Sequence, residues 1–401
     1  MECYRRTDST LRRGTFDAVP NQKTSMNTLF FLYVPPRLYI ISYWSYNNPK
    51  TFVGALRPYR MSDFFRQKGW DVTLVTSTCS SGPELTIPES RWMRWSVLRA
   101  FPPDYTFLWA LKVIWVLRKK IKYSPIPVYL LTTCPPNGLV IAGIVGKFFF
   151  PSQIKWILDF RDLWTQHPLY APPITKRYLD PFIERWAMYH ADHIVCNTVW
   201  DQNHWSGRFP GHRSKLLTVA NGFDHILQNQ AVHNIDNLRF VYTGGTTAGQ
   251  ATRWIHSLLN CFQEQVVTCD FYGEYDTFMD TSPCISYRGV VEPEEIPLLL
   301  TAYRFGFIYL PKGSEMGGRV AQKFYDYLGS GVIPICYRPS QEMRRLIGEL
   351  RTGVCISEND SPYDTIRAIQ IAEFRASAEQ LALLQRNTQF EKLYNSLPSL
   401  S

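Results

Sequence analysis

Short apolar runs recur along the chain, and between them apolar positions return every three or four residues. The runs at 38–44, 71–77, 127–133, 154–160, 193–198 and 215–220 are rich in β-branched, aliphatic and aromatic side chains, the pattern of buried strands. Helical spacing fills 56–68 and 138–149 between them. A polar stretch at 221–237 breaks the alternation. It restarts with strands at 238–243, 267–272, 284–288, 305–310, 332–336 and 353–356, and helices at 294–303, 319–329 and 341–350. Residues 361–395 are mostly helical in pattern. Strands alternating with helices imply parallel sheets joined by right-handed crossovers. The expected fold class is α/β: two Rossmann-like doubly wound domains facing each other across a cleft. The expected boundaries are a disordered leader at 1–25, a first domain at 26–220, a linker at 221–237, a second domain at 238–385, and a closing helix and tail at 386–401.

Composition narrows the partners. With 45% hydrophobic and 19% charged residues, the chain can build sizeable cores and is too apolar for a disordered protein. The net charge of +9 suits an anionic partner. Eight basic residues stand between 91 and 122 against one acid, Asp104. No helix-turn-helix or zinc-finger spacing accompanies them, so a nucleic-acid partner is not expected. The nine cysteines stand singly, without C-x-x-C, several in apolar runs. That argues for reduced thiols in a cytoplasmic protein. Residues 1–25 are polar and basic, unlike a secretory signal. No run reaches the roughly 18 uncharged apolar residues of a spanning helix.

Doubly wound sheets bind ligands beyond the carboxyl ends of their strands. After the first strand, a polar loop carrying Gly54 leads into a helix whose free N–H groups suit an oxygen-rich group, although a plain turn explains it equally. G-x-G-x-x-G is absent, which argues against a dinucleotide site. The segment DFRDLW puts Asp159 and Asp162 at a strand end, either able to orient a hydroxyl or take its proton. An Asp–Arg pair is the simpler reading there. His167 is a second candidate base. In LRFVYTGGTTAG, Gly244 and Gly245 let backbone approach a phosphate, and Arg253 stands just beyond. In GGRVAQKFYDYLGSGVIPI, Lys323 and Asp326 share one helix face, apt for a phosphate and for ribose hydroxyls. The alternative is a salt bridge of about 0.2–0.5 kcal/mol. Residues 105–122 are apolar nearly all round and end strongly basic. They are either a buried helix with a solvated end or a contact with an anionic membrane through Trp109 or Trp115 and the lysines.

In order along the chain, VGALRPYRMSDFFRQKGWDVTLVTS, TTCPPNG, DFRDLWT, ADHIVCNT, VANGFD, LRFVYTGG, YRGVVEPEEIPLLLTA and QKFYDYLGSGVIPI resemble the retaining glycosyltransferases of family 4, of GT-B architecture, in particular the bacterial cell-surface polysaccharide branch. The resemblance runs from about residue 38 to about residue 338. It implies a metal-independent hexosyl transfer, with retention of configuration, from a nucleotide-diphosphate sugar to a glycan or lipid-linked acceptor. That sugar is a co-substrate and no other cofactor is implied; D-x-D is absent. Gly244, Gly245, Arg253 and Lys323 map to the diphosphate and Asp326 to the ribose. Gly54 and Arg57 map to the acceptor side, and Asp162 with His167 to the catalytic cleft. The implied location is the cytoplasm, at the inner face of the plasma membrane. The family usually places an acid eight positions before Asp326, where this chain has Gly318. A degenerate binding or scaffold subunit is therefore one competing reading, and a non-hydrolysing nucleotide-sugar epimerase is another.

Overall fold

A computed structural model of the chain describes residues 34–46, 52–78, 84–90, 102–227, 237–262 and 266–398. The expected leader and most of the expected linker lie outside the described residues. From Pro35 onward the chain is one compact unit carrying both sheets.

The first sheet is built from β1 (Arg37–Ile41), α1 (Phe52–Gln67), β2 (Asp71–Thr76), the two-residue β3 (Leu85–Thr86), α2 (Phe107–Lys122), β4 (Val128–Cys134), α3 (Val140–Phe149), β5 (Ile154–Phe160), α4 (Ile174–His190), β6 (His193–Cys196), α5 (Val199–Arg208) and β7 (Leu216–Thr218). Its order is β3-β2-β1-β4-β5-β6-β7, and every pairing is parallel. The central strands are mostly apolar because helices cover both faces, and every residue of β4, its two threonines included, is buried. On one face α2 to α5 pack side by side over Trp109, Leu117, Trp156, Met188 and Trp205.

The second sheet comes from β8 (Asn237–Gly244), α6 (Gln250–Leu259), β9 (Val266–Gly273), β10 (Ile285–Gly289), α7 (Ile296–Leu300), β11 (Phe305–Tyr309), α8 (Gln322–Gly329), β12 (Ile333–Tyr337), α9 (Gln341–Leu350) and β13 (Val354–Ile356). Its order is β10-β9-β8-β11-β12-β13, again parallel. The helices α10 (Pro362–Gln370), α11 (Ala378–Leu384) and α12 (Arg386–Ser396) follow. The last of these returns to the first sheet. With α1 it covers the second face, Phe390 and Leu393 meeting Met61, Phe64 and Phe65. The chain thus passes between the halves twice, and the two passes touch: Phe223 bridges Gln385. Gly222 (φ +62°) allows this, since a Cβ there would stand 2.5 Å from the Leu384 carbonyl oxygen.

Three local expectations change: Gly54, expected in the loop before α1, lies within the first turn of that helix. The helix expected at 319–329 begins at Gln322, so Arg319 stands in the loop before it. Trp109 is not a surface anchor: it is fully buried and donates from Nε1 to the Ile87 carbonyl oxygen at 2.6 Å.

Candidate functional site

Each sheet reverses its strand order once, between β1 and β4 and between β8 and β11, and loops diverge there to leave a crevice. The two crevices form one trench, which widens into three cavities that share walls.

The first cavity, about 370 Å³, lies at the end of β8. Gly244 (φ +106°) closes that strand with a backbone conformation that a side chain would strain. A Cβ there would stand 3.5 Å from Lys323 Nζ, so the amine sits beside bare backbone. Lys323 Nζ lies 3.6 Å from the Tyr242 ring centroid. No carboxylate among the described residues pairs with it, and burial lowers its pKa to about 7. Asp326 lines the same cavity, its Oδ1 accepting from Gln322 Nε2 at 2.9 Å. Burial raises its pKa to about 6. Lys323 and Asp326 are thus brought together on α8 but not spent on each other.

A ligand that needs both the cation and the carboxylate meets them together only where Asp326 is ionised and Lys323 protonated. The affinity for a nucleoside diphosphate should therefore peak between about pH 6 and pH 7 and fall on either side. Isothermal titration across pH 5 to 9 measures this; a flat profile would dissociate both groups from the ligand.

The second cavity, about 250 Å³, shares Leu56, Arg319, Ala321 and Gln322 with the first. Gly54 is required here, because a Cβ would come 2.4 Å from the Trp44 ring. Its carbonyl oxygen accepts from Arg161 Nη1 at 2.6 Å. Arg57 and Asp159 line up differently from the sequence reading. They are 3% and 1% exposed and form a fork at 2.9–3.2 Å, with Thr133 Oγ1 donating to Asp159 at 2.9 Å. The Asp–Arg pairing does exist at this strand end, but across 102 residues of chain. Asp159 is saturated, and Arg57 holds the floor of the cleft instead of reaching out.

The third cavity, about 430 Å³, shares Pro135 and Asp162 with the second. Of the acids lining these two cavities, Asp162 alone takes no hydrogen bond from a described residue; Asp104 and Asp180 are held by their neighbours. His167 also lines this cavity, and burial lowers its pKa. Its Nδ1 accepts from the Leu169 amide at 3.1 Å, so the neutral ring carries its proton on Nε2. In this tautomer Nε2 is a donor, and the expected base at Nε2 would need the other one.

Arg253 does not join the others. It is exposed on α6 and donates to the Ala248 carbonyl oxygen at 3.2 Å. Gly318 has a structural reason. A Cβ there would meet Asp201 Oδ1 and the Trp200 ring at 2.8 Å. The carbonyl of its neighbour Gly317 receives the Gln341 amide. Next along α9, Glu342 accepts from the amides of Val199 and Trp200 at 3.4 and 3.1 Å, capping α5 from across the cleft. The halves touch where the missing acid would stand.

Several lining residues escaped the sequence reading, notably Arg60, Asn197, Asp224, His225, Arg319 and Arg386. All but His225 and Arg386 lie within stretches singled out there as motifs, but only the fold shows which side chains turn inward.

The fold has known counterparts. Residues 58–226 match the Glycosyltransferase Family 4 domain. No curated protein sequence matches the chain. Among solved structures, a glycosyltransferase from Rickettsia africae ESF-5 superposes with a TM-score of 0.62 at 10% identity, covering 90% of this chain and 98% of that one. The apo lipopolysaccharide outer core galactosyltransferase WaaB gives 0.61 at 9%, covering 90% and 98%. Anabaena Alr3699/HepE in complex with UDP gives 0.60 at 12%, covering 91% and 100%. The fold is GT-B. Domain match and fold together support a GT-B glycosyltransferase.

Proposed function

We propose that this protein transfers a sugar from a nucleotide-diphosphate sugar to a glycan or lipid-linked acceptor, with retention of configuration, in cell-surface polysaccharide synthesis. The observation that carries this reading is the pair Lys323 and Asp326, both lining the cavity at the end of β8 and, among the described residues, in an ion pair neither with each other nor with another charge. Lys323 and the backbone at Gly244 and Gly245 receive the diphosphate, and Asp326 receives ribose hydroxyls. Arg319 stands where this cavity meets the next, beside the bond that breaks. As the sugar–phosphate bond opens, its electron pair leaves on the diphosphate, and fixed cations there lower the barrier. Asp162 orients the incoming hydroxyl, His167 donates to the acceptor, and Arg57 with Gly54 shapes that side. No metal is assigned to the reaction. The protein works in the cytoplasm, touching the membrane through 105–122.

Thermal shift with UDP, GDP, CMP and dTDP sugars tests the reading. One nucleotide family should raise the melting temperature by mass action. If none does, the donor site is wrong and the scaffold reading takes its place. One feature favours the epimerase as a second reading: His225 and Asp224 line the same cavity as Asp326. Appearance of an epimeric sugar nucleotide without any acceptor would establish that activity.

A further inference from the structure

The helices α2, α3 and α4 lie side by side on one face of the first sheet, and their outer surface is unlike the rest of the molecule. On α4, Ile174, Tyr178, Phe182 and Tyr189 are exposed at intervals of four, four and seven residues, a stripe along one side of the helix. Phe182 is 68% exposed. On α2, Trp115 is 63% exposed, with Arg118 stacked 3.9 Å from its ring centroid. Phe148 (72% exposed) and Phe149 end α3. Between α2 and α3 runs an apolar groove of about 580 Å³, walled by Leu111, Ile114, Trp115, Val145, Phe149 and Phe150.

The charges on this face have one sign. Neither α2 nor α3 contains an acid. The two acids of α4 point inward: Asp180 and Glu184 are each 1% exposed, bonded to Tyr170 and to Thr165. What remains outside is Lys119, Lys120, Lys122, Arg177 and Arg185 among aromatic rings. Rings that insert at an interface, interleaved with cations and free of exposed carboxylates, match the headgroup layer of an anionic bilayer.

We propose that the whole α2–α3–α4 face, and not α2 alone, docks on an anionic membrane. This inference rests on the membrane contact proposed above and extends it in a direction that matters for the reaction. The amino-terminal end of α4 runs into the third cavity, where Pro173 and Lys176 line the same walls as Asp162. The docked face therefore ends at the acceptor cavity. An acceptor held by a lipid phosphate would reach Asp162 over the start of α4 without leaving the bilayer surface.

Flotation of the full-length protein with vesicles of phosphatidylcholine, with and without phosphatidylglycerol, tests this. Wild type should float with the anionic vesicles at low salt and lose most of that binding at high salt. Tyr178→Ser/Phe182→Ser on α4 should weaken flotation about as much as Trp115→Ser/Phe149→Ser on α2 and α3, roughly tenfold or more each. All four side chains are exposed, so the melting temperature should stay near that of wild type. Full flotation of the α4 variant would overturn the proposal. So would wild type failing to float, or a dimer by light scattering that these changes dissolve. The nucleotide thermal shift needs no vesicle and flotation needs no nucleotide, so failure of this inference and failure of the glycosyltransferase reading are separately visible.

Discussion

Lys323→Ala should abolish the melting-temperature rise given by the stabilising nucleotide sugar and lower kcat/KM by about 10²–10³, the range seen when one preorganised donor to a developing charge is removed. The ligand-free variant should be as stable as wild type or more so. Lys323 makes no ion pair among the described residues, and a desolvated amine costs the empty protein stability instead of supplying it. This combination separates a ligand-binding lysine from a structural one, whose loss would lower stability and spare affinity only incidentally. Asp326→Asn should weaken nucleotide affinity less, because an amide still accepts from a hydroxyl. Melting curves with and without nucleotide, together with steady-state kinetics on both variants, decide the matter. A Lys323→Ala protein that keeps its nucleotide shift would remove α8 from the donor site.

Arg57→Ala should have the largest effect on folding. It leaves the Asp159 carboxylate, 1% exposed, with Thr133 as its remaining side-chain partner. Removing one member of a buried pair typically costs about 3–5 kcal/mol. For a domain of this size that lowers the midpoint of the first domain's transition by roughly 6–20 °C. Arg57→Met/Asp159→Leu should recover much of the loss, since no charge is then left unpaired. Calorimetry on the single and double variants measures both. Equal destabilisation by the two would show that packing around the guanidinium, and not the stranded charge, sets the cost.

Much of the architecture was legible because the strands are buried on both faces and so announce themselves as apolar runs. Ile154–Phe160 begins and ends at the residues the pattern gives. Leu85–Thr86 was not legible, since two residues carry no period. Helix facing was harder. The apolar side chains of α2 go nearly all round, so nothing in sequence separates buried Trp109 from exposed Trp115. Arg57 and Arg60 stand one turn apart on α1, yet the first is locked to a strand far along the chain while the second lines the first cavity. Lys323 and Asp326 were recognisable from their helical spacing. That they avoid each other, and that Arg319 leaves the helix to face the cleft, are facts of tertiary structure. Arg253 is the opposite case: the sequence places it beside the glycine turn, and the fold leaves it exposed on α6, away from the lining of the first cavity.

The two passes of chain between the halves, bridged at Phe223 and Gln385, act mechanically as a hinge with a single pin. A turn about that short axis would open the trench without parting the two passes, whereas sliding or separation would break the bridge. Phe223, Asp224 and Arg386 stand at the pin and also line the first cavity, so that pocket keeps part of its wall at every angle of opening. The contacts outside the pin, Glu342 on the start of α5 among them, are the ones a swing breaks and remakes. On the proposed function, a nucleotide would lodge beside this axis, against walls that a turn leaves in place.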